Sequence, residues 1–357
     1  MYKTIYPLKN STLYSQYPDK NTSGDAIIEI SKATFGEPSI EGSEDILYDT
    51  TYNSRFLIQF DLSDISSSIV SGKINSNARF YLVVKATEAV NLPVDYTLYA
   101  YPTSGSWTAG SGFYNNNPAI TDGASWKYRS SKLVGTEWAT SSYNSTSTGS
   151  YDLIPGGGNY YTSSVASQSF IFTDPDVRMD VTQIVQQWLS GSISNNGFLV
   201  KLSDDLEQNQ VHVGSIKFFS GQSHTIFLPR LEVYWDDSVQ TGTGSFSEIG
   251  SEDFILYCKN LRESYSETEI AKVRLGVRER FPASTYATSS AYLNQSRLPT
   301  GSYYQIQDYV TDEVVIPFHT LGTKVSCDAN GNYVKIDVNS LLPERYYKLV
   351  IKSEFEG

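Results

Sequence analysis

The chain has 357 residues, more than one typical domain of about 100–200 residues holds, so its length predicts two domains, with one large β domain as the main alternative. Charged residues make up 18% and aromatic residues 13%, with 27 Tyr and 16 Phe, and this balance is typical of β-sheet proteins. A formal net charge of −12 repels phosphate backbones and anionic membranes, which argues against nucleic-acid binding by the whole chain.

The N-terminal segment MYKTIYPLKNSTLY lacks a basic stretch followed by an apolar run, so we expect no secretory signal peptide. No stretch approaches about 18 consecutive apolar residues, so we expect no membrane insertion. With three His and two Cys, a zinc site of the usual kind is not expected. Cys258 and Cys327 are interpreted as buried free thiols, although the fold could bring them together as a pair.

The first two thirds of the chain predict strands, because apolar runs recur there between Gly, Asn, Asp and Ser residues. These runs begin at Ala26, Arg55, Ala78, Tyr96, Gln168, Gly197, Ile216 and Leu231. Since no long helix intervenes, the spacing favours a β-sandwich or jelly roll. One short helix is predicted between Asp180 and Gly191, with Asp180 as N-cap, Gln183 as capping-box partner and Gly191 as the left-handed stop. Its apolar face would carry Trp188 into the sheets.

A long insertion at about 103–169 is rich in Ser, Thr, Gly and Asn and contains Trp107, Trp126 and Trp138. We interpret it as an elaborated loop whose tryptophans pin it to the sandwich. It is also the predicted interaction surface of the first domain, with Trp107, Trp126 and Tyr128 as candidates for stacking on sugar rings. Pinning a loop to a core, or contact with a partner protein, is the more frequent use of such tryptophans.

The composition changes at residues 238–253, a polar segment rich in Gly and Ser that predicts a linker. Residues 254–357 contain six or seven strand-like runs, which fits an immunoglobulin-like sandwich, although the usual Cys pair around a Trp is absent. Alternation within RLGVRERF puts Arg274, Arg278 and Arg280 on one face of a strand. That basic stripe is either a solvated face or a surface that docks an acidic partner.

Several strings occur in an order that resembles the DNRLRE family. They are RFLIQFDLSDI at 55–65, ARFYLVVKA at 78–86, DVTQIVQQWLSGSISNNGFLVKL at 180–202, IKFFSGQS at 216–223 and LPRLEVYW at 228–235. The resemblance covers residues 1 to about 237 and implies a jelly-roll β-sandwich module of the kind found on bacterial and archaeal surface proteins, close to certain carbohydrate-binding modules. The expected architecture is therefore all-β, with a jelly roll at 1–237, a linker at 238–253 and an immunoglobulin-like domain at 254–357.

The whole chain also resembles virion structural proteins of large tailed bacteriophages, through its start, the passage TDGASWKYR at 121–129 and the ending LPERYYKLVIK at 342–352. This resemblance implies a non-enzymatic tail, baseplate or neck component, made in the host cytoplasm without an export signal and multimeric within the particle. Its partners would be other virion structural proteins.

No catalytic constellation stands out in the sequence: a nucleophile elbow, a P-loop and a G-x-G-x-x-G after a strand are all missing. We therefore expect no enzymatic activity and no cofactor. Calcium is a weak alternative at the acidic pairs Asp204 with Asp205 and Asp236 with Asp237, which are more simply solvated loop ends. The rival functions are a carbohydrate-binding or host-adhesion module and, ranked last, a depolymerising enzyme with two opposed carboxylates.

Overall fold

The computed structural model describes the chain except for residues 36–49, 94, 116–117, 139–155, 172, 209–212, 245, 251, 282–294 and 355–357. The class is all-β, as predicted, with 42% strand and 9% helix, and it is consistent with a β-sandwich protein. In the described part of the chain, no helix has the length and apolar composition needed to cross a membrane.

The elements of the first part follow in chain order: β1 (Tyr2–Ile5), β2 (Pro7–Tyr14), β3 (Ile27–Phe35), β4 (Thr50–Phe60), α1 (Ser63–Val70), β5 (Arg79–Val84), β6 (Ala86–Val90), β7 (Asp95–Pro102), β8 (Ala166–Ile171), β9 (Val177–Asp180), α2 (Thr182–Leu189), β10 (Phe198–Leu202), α3 (Asp204–Gln208), β11 (Gly214–Phe219) and β12 (Arg230–Tyr234). The remaining strands are β13 (Phe254–Cys258), β14 (Ile270–Glu279), β15 (Ser302–Asp308), β16 (Val314–Ile316), β17 (Ser326–Asp328), β18 (Gly331–Asp337) and β19 (Tyr347–Ser353). All of the runs predicted as strands are strands.

The chain forms two compact units. The larger unit comprises Ile5–Ser66 and Phe80–Leu231, and the smaller one, called the C-terminal unit below, comprises Met1–Thr4, Ser67–Arg79 and Glu232–Gly357. The predicted linker at 238–253 lies within the C-terminal unit, where Gln240 Nε2 donates to the carbonyl of Val325 at 2.9 Å. The division into domains at 1–237 and 254–357 stays a prediction.

An eight-stranded sheet forms much of the larger unit, and β5 and β9 of this unit pair with each other outside it. The order of the eight-stranded sheet is β6-β11-β3-β4-β10-β7-β8. Strand β2 is the eighth strand and pairs with the part of β4 that follows the segment paired with β3. The register aligns Leu57 of β4 with Leu199 of β10, and Phe56 with Val200 on the opposite face, and all four side chains are 0% exposed. Because successive side chains alternate between faces, β4 and β10 are covered on both sides.

The predicted short helix is confirmed as α2. Its buried face contains Ile184, Val185 and Trp188, and the Trp188 ring lies 4.6 Å from that of Phe198. Gly191 takes a left-handed φ of 75° after the last turn, as predicted. The N-cap is Val181, one residue later than predicted, although Asp180 Oδ1 still accepts a hydrogen bond from the Thr182 amide at 2.9 Å.

The strands of the C-terminal unit form two sheets, with orders β13-β14-β18-β17 and β16-β15-β19. When the strands are lettered in chain order, the first sheet matches the A-B-E-D sheet of immunoglobulin-type domains. The second sheet matches strands C′, C and F, with β19 as strand F. The immunoglobulin-like prediction therefore agrees with the observed strand order. Val273 and Leu275 of β14 are buried between the sheets with Tyr304 and Ile306 of β15. The Tyr304 hydroxyl donates to the Lys335 carbonyl of β18 at 2.8 Å and thus ties one sheet to the other.

Candidate functional site

The tryptophans of the insertion lie in the interior of the larger unit. Trp107, Trp126 and Trp138 are 3%, 3% and 2% exposed, and they form a cluster with residues of the large sheet and the insertion: Leu13, Leu57, Ala124, Tyr160 and Leu199. Trp107 Nε1 donates to the Asn196 carbonyl at 2.8 Å. The insertion is therefore pinned to the sheet, as predicted. Trp107 and Trp126 offer no face to a sugar ring or a partner. Their rings are buried because they pack on the second face of β4 and β10, whose apolar side chains they shield from solvent.

A network of buried charges lies under the insertion. Arg55 and Lys201 are 1% and 0% exposed, and both pair with Glu207 of α3, which is 3% exposed. Arg55 Nε and Nη2 donate to the two carboxylate oxygens at 3.0 and 2.5 Å, while Lys201 Nζ lies 2.9 Å from Oε2. One buried carboxylate thus pairs with two buried cations, and Lys201 has a second ion pair with the exposed Asp204.

The insertion completes this network through its glycine run. Arg55 Nη1 donates to the Gly157 carbonyl at 2.9 Å, and the guanidinium carbon lies 5.0 Å from the Trp126 ring centroid. Gly157 has a φ of +81°, and an added Cβ would come within 2.8 Å of Arg55 Nη1 and 2.9 Å of the Trp126 ring. Only glycine fits between these two side chains. The glycine run at 156–158 therefore contributes a structural contact to the buried network.

The remaining predicted surface residue of the insertion, Tyr128, is half-buried. Lys127 Nζ lies 5.4 Å from its ring centroid, and the same amine pairs with Glu137 at 3.3 Å. The structure therefore keeps Tyr128 near the surface but separates it from the buried Trp107 and Trp126. These three side chains do not form a common aromatic platform.

Of the predicted basic stripe, Arg274 and Arg278 lie on β14, with Leu275 and Val277 buried on the other face as expected, whereas Arg280 comes directly after the strand ends at Glu279. Arg274 is neutralised by Asp328, since Nη2 donates to Oδ2 at 2.8 Å. Arg278 and Arg280 are half-buried and exposed, and neither forms an ion pair with a described residue. The ring of Tyr257 lies against Gly276 and separates Arg274 from the other two.

The acidic pairs proposed for calcium contact cations of the protein. Asp236 and Asp237 pair with Lys324 at 2.6 Å and Lys335 at 2.8 Å, and Asp204 pairs with Lys201. Within the described ranges, no group of three or more His, Cys, Asp or Glu residues could hold a metal ion. Both cysteines are free; Cys327 is buried, whereas Cys258 is exposed because β13 is an edge strand.

Three exposed apolar side chains meet at one end of the C-terminal unit and are called the apolar tip: Tyr309, Val310 and Tyr346, exposed by 60%, 79% and 76%. They lie just after β15 and just before β19, and the Tyr309 amide donates to the Tyr346 carbonyl at 2.8 Å. Sequence reasoning missed this site, because Tyr346 lies 37 positions after Tyr309 and only the pairing of β15 with β19 joins them.

Asp308 fixes the shape of the apolar tip from inside. Its Oδ1 accepts hydrogen bonds from the amides of Val310 at 2.9 Å and Thr311 at 3.0 Å, and its Oδ2 accepts one from Arg345 Nε at 2.5 Å. The Arg345 hydrogen bond and these amide donors hold the pKa of the Asp308 carboxyl well below its usual range. The carboxylate is therefore ionised at neutral pH and bonds both segments that carry the tip.

A cleft of about 270 Å³ lies elsewhere, in the larger unit, and is called the tyrosine cleft. Its lining includes three tyrosines and several hydrogen-bonding side chains: Tyr14, Gln16, Glu29, Tyr52, Asn53, Asn91 and Tyr114. Tyr14 donates to Glu29 Oε2 at 2.9 Å, and its ring lies 4.6 Å from that of Tyr114. The Oδ1 atom of Asn53 is buried and accepts no hydrogen bond from a described residue.

Comparison with known proteins identified no relative of this chain among protein families or curated proteins. A scan against protein-family models found no match, and a search of curated proteins found none either. The resemblances to the DNRLRE family and to phage virion proteins therefore stay predictions.

The first prediction concerns Glu207. Replacing Glu207 with Gln should lower the free energy of unfolding by about 3–5 kcal/mol, because the buried Arg55 would lose the carboxylate it binds with two hydrogen bonds and Lys201 would keep only its ion pair with the exposed Asp204. Urea denaturation followed by fluorescence measures the change. Asp205→Asn, on the exposed side of the same helix, is the matched control and should change stability by less than about 0.5 kcal/mol. Equal effects of the two substitutions would contradict the role given to the network.

The second prediction concerns pH. Lys32 is 0% exposed and donates to the Leu206 carbonyl; burial lowers the pKa of its amine to about 8, and Glu207 opposes the shift. A folded-state pKa below the unfolded value of 10.5 means that the unfolded chain binds more protons between these values, so stability from this group rises with pH. Relative to Lys32→Met, the wild type should gain at most about 1.4 kcal/mol per pH unit above about pH 8.

Urea unfolding of both proteins at several pH values between about 7 and 10 measures this difference. Parallel pH profiles for the wild type and Lys32→Met would contradict it. Buried tyrosines, whose pKa values are raised by burial, lower the stability as the pH rises. Because this effect is present in both proteins, the difference between their pH profiles isolates the contribution of Lys32.

Proposed function

We propose that the chain is a non-enzymatic structural protein of a tailed bacteriophage particle, associated with the tail, baseplate or neck. Its work is to bind neighbouring particle proteins. The observation that carries the proposal is the apolar tip, where Tyr309, Val310 and Tyr346 leave most of their surface exposed at one place. Contiguous exposed apolar side chains are the usual mark of a surface that a partner covers.

The tip is suited to assembly because it is already held in one conformation. Asp308 bonds the amides after β15 and Arg345 before β19, so binding a partner orders little additional backbone. A preorganised surface loses less conformational entropy on association, which strengthens binding without additional area. Tyrosine is also favoured in protein interfaces, since its ring buries apolar area while its hydroxyl bonds at the rim.

The interior of the larger unit supports a structural role as well. The described parts of the insertion are held to the sheet by buried tryptophans and by contacts to the buried ion network. An assembled particle needs subunits that transmit load without local opening, and segments with dense buried contacts have the highest local stability. This arrangement agrees with a component that supplies shape and surface area.

The experiment that tests the proposal is the composition of purified particles. Mass spectrometry of tailed particles from the source should detect the chain, and gold-labelled antibody against it should mark a fixed position in electron micrographs. The proposal is wrong if purified particles lack the chain.

The third prediction tests the tip itself. The double substitution Tyr309→Ser and Tyr346→Ser should leave the fold intact, because both side chains are largely exposed, but should abolish incorporation into particles. Val70→Ser is the control, since Val70 is 87% exposed and far from the tip in sequence. Incorporation of the double variant at the level of the wild type would remove the tip as an assembly surface.

A second candidate function is carbohydrate binding or host adhesion, and the tyrosine cleft is what favours it. Tyrosine rings provide flat apolar faces for sugars, and Glu29, Asn53 and Asn91 provide hydrogen-bonding groups for hydroxyls. The buried, unsatisfied Oδ1 of Asn53 lies among these lining residues and is an acceptor that a polyhydroxyl ligand or water could satisfy.

The fourth prediction belongs to this candidate. In an affinity gel containing a bound polysaccharide, the wild type should migrate more slowly than in a plain gel, and Tyr52→Ala should restore normal migration. Tyr161→Ala, at a tyrosine of the same unit that is 36% exposed, is the control. Sugar binding at the cleft is excluded if no polysaccharide retards the wild type or if Tyr52→Ala is retarded equally.

A further inference from the structure

Strand β19 lies at one end of its sheet. The order is β16-β15-β19, and among the described residues no strand pairs with the other side of β19. In the immunoglobulin-type arrangement that the other strands follow, the seventh strand, G, occupies this place beside strand F. Since β19 is the counterpart of strand F, the position of strand G is the outer edge of β19.

The backbone groups at this edge can be assigned from the ladder with β15. The Tyr309 amide donates to the Tyr346 carbonyl at 2.8 Å, and the Glu354 amide donates to the Gly301 carbonyl at 3.2 Å. The register between these ends is constant, and hydrogen-bonded pairs alternate along an antiparallel ladder. Val350 therefore directs its N–H and C=O towards β15, whereas Leu349 and Ile351 direct theirs to the outer edge.

The side chains at this edge are also incompletely covered. Leu349 and Ile351 align with Ile306 and Tyr304, whose side chains are each 2% exposed in the core. Leu349 and Ile351 face the same side of the sheet, yet both are only half-buried. Apolar side chains that point inward and still contact solvent indicate that the sandwich is open along this flank.

The outer face of β19 carries positive charge. Lys348 and Lys352 flank Val350 on this face, and their side chains are 39% and 55% exposed. Their partners, Asp312 and Glu354, are 71% and 57% exposed, and ion pairs as exposed as these add little stability. Both lysines are therefore available to carboxylates of an incoming strand.

We propose that the outer edge of β19 binds an extended segment of another protein in the position of the seventh strand. The segment alternates apolar side chains, which cover Leu349 and Ile351, with acidic side chains opposite Lys348 and Lys352. This proposal rests on the assembly function and names the mode of contact. A second copy of β19 is disfavoured, because the fully overlapping antiparallel register places Lys348 opposite Lys352 of that copy.

The test uses the full chain and two synthetic peptides of the same seven-residue length as β19, one alternating Val with Glu and the other alternating Val with Lys. Hydrogen–deuterium exchange resolved to single residues follows the amides of Leu349 and Ile351. The Glu peptide should slow their exchange and bind about tenfold more tightly than the Lys peptide. Lys348→Glu combined with Lys352→Glu should reverse the preference.

Ile351→Pro provides a sharper variant, because it removes a donor from the outer edge and leaves the bonds to β15 in place. It should abolish peptide binding while circular dichroism stays unchanged; Ile351→Val, which keeps the donor, should bind normally. If Ile351→Pro fails to fold, the peptide preference of the Lys348→Glu and Lys352→Glu double variant tests the proposal by itself.

Three outcomes overturn the proposal: equal affinity for the two peptides, exchange at Leu349 and Ile351 that is already slow in the free monomer, and slowing that follows protein concentration without peptide. The second outcome would mean that the chain covers its own edge, and the third that a second copy does. Peptide binding by the isolated chain does not depend on whether phage particles contain the chain. Failure of the strand-binding proposal and failure of the virion proposal are therefore seen in different experiments.

Discussion

Strand β10 is buried on both of its faces, and the rest of the larger unit depends on this constraint. A strand whose five residues are all buried places Lys201 in the interior, and Arg55 of the neighbouring strand β4 lies there as well. Burying a cation without a carboxylate beside it costs several kcal/mol, and Glu207 is the buried carboxylate that pairs with both. The short helix α3 supplies Glu207, and the insertion supplies the Gly157 carbonyl and the Trp126 ring. The insertion and α3 are thereby fixed to the sheet by charge as well as by apolar contact.

The C-terminal unit meets a different constraint, because no strand in the described part of the chain pairs with the outer edge of β19. Inward-facing residues of β14 and β15 are fully buried, whereas Leu349 and Ile351 at the same depth are not. An open edge exposes backbone donors and acceptors, and proteins usually protect such edges with charged residues. Lys348 and Lys352 serve that purpose here. In the proposed contact, the same lysines that discourage self-association would select an acidic partner, so protection and specificity would arise from one pair of side chains.

Much of the fold could be predicted from the sequence where hydrophobic periodicity was strong. The strands beginning near Arg55 and Gly197 and the helix around Trp188 were correct for that reason. Strand β2 escaped notice because it buries Asn10, Ser11 and Thr12, which bond to neighbouring segments and interrupt the apolar pattern; Asn10 Oδ1, for example, accepts from the Gly221 amide at 2.9 Å. The location of Trp107 and Trp126 could not be read locally either, since a tryptophan in a polar loop has the same sequence signature whether it faces solvent or a second core.

The two features assigned to partner contact, the apolar tip and the outer edge of β19, are continuous along the chain. Tyr346 belongs to the tip, and the edge begins at the next residue. Arg345, one position earlier, is bonded to Asp308, so a single buried carboxylate fixes the point from which both surfaces extend. A partner strand that ran along β19 beyond its first residue would reach the exposed ring of Tyr346. Backbone pairing would then set the register of the partner, and the tip would add the apolar area that backbone hydrogen bonds alone do not supply.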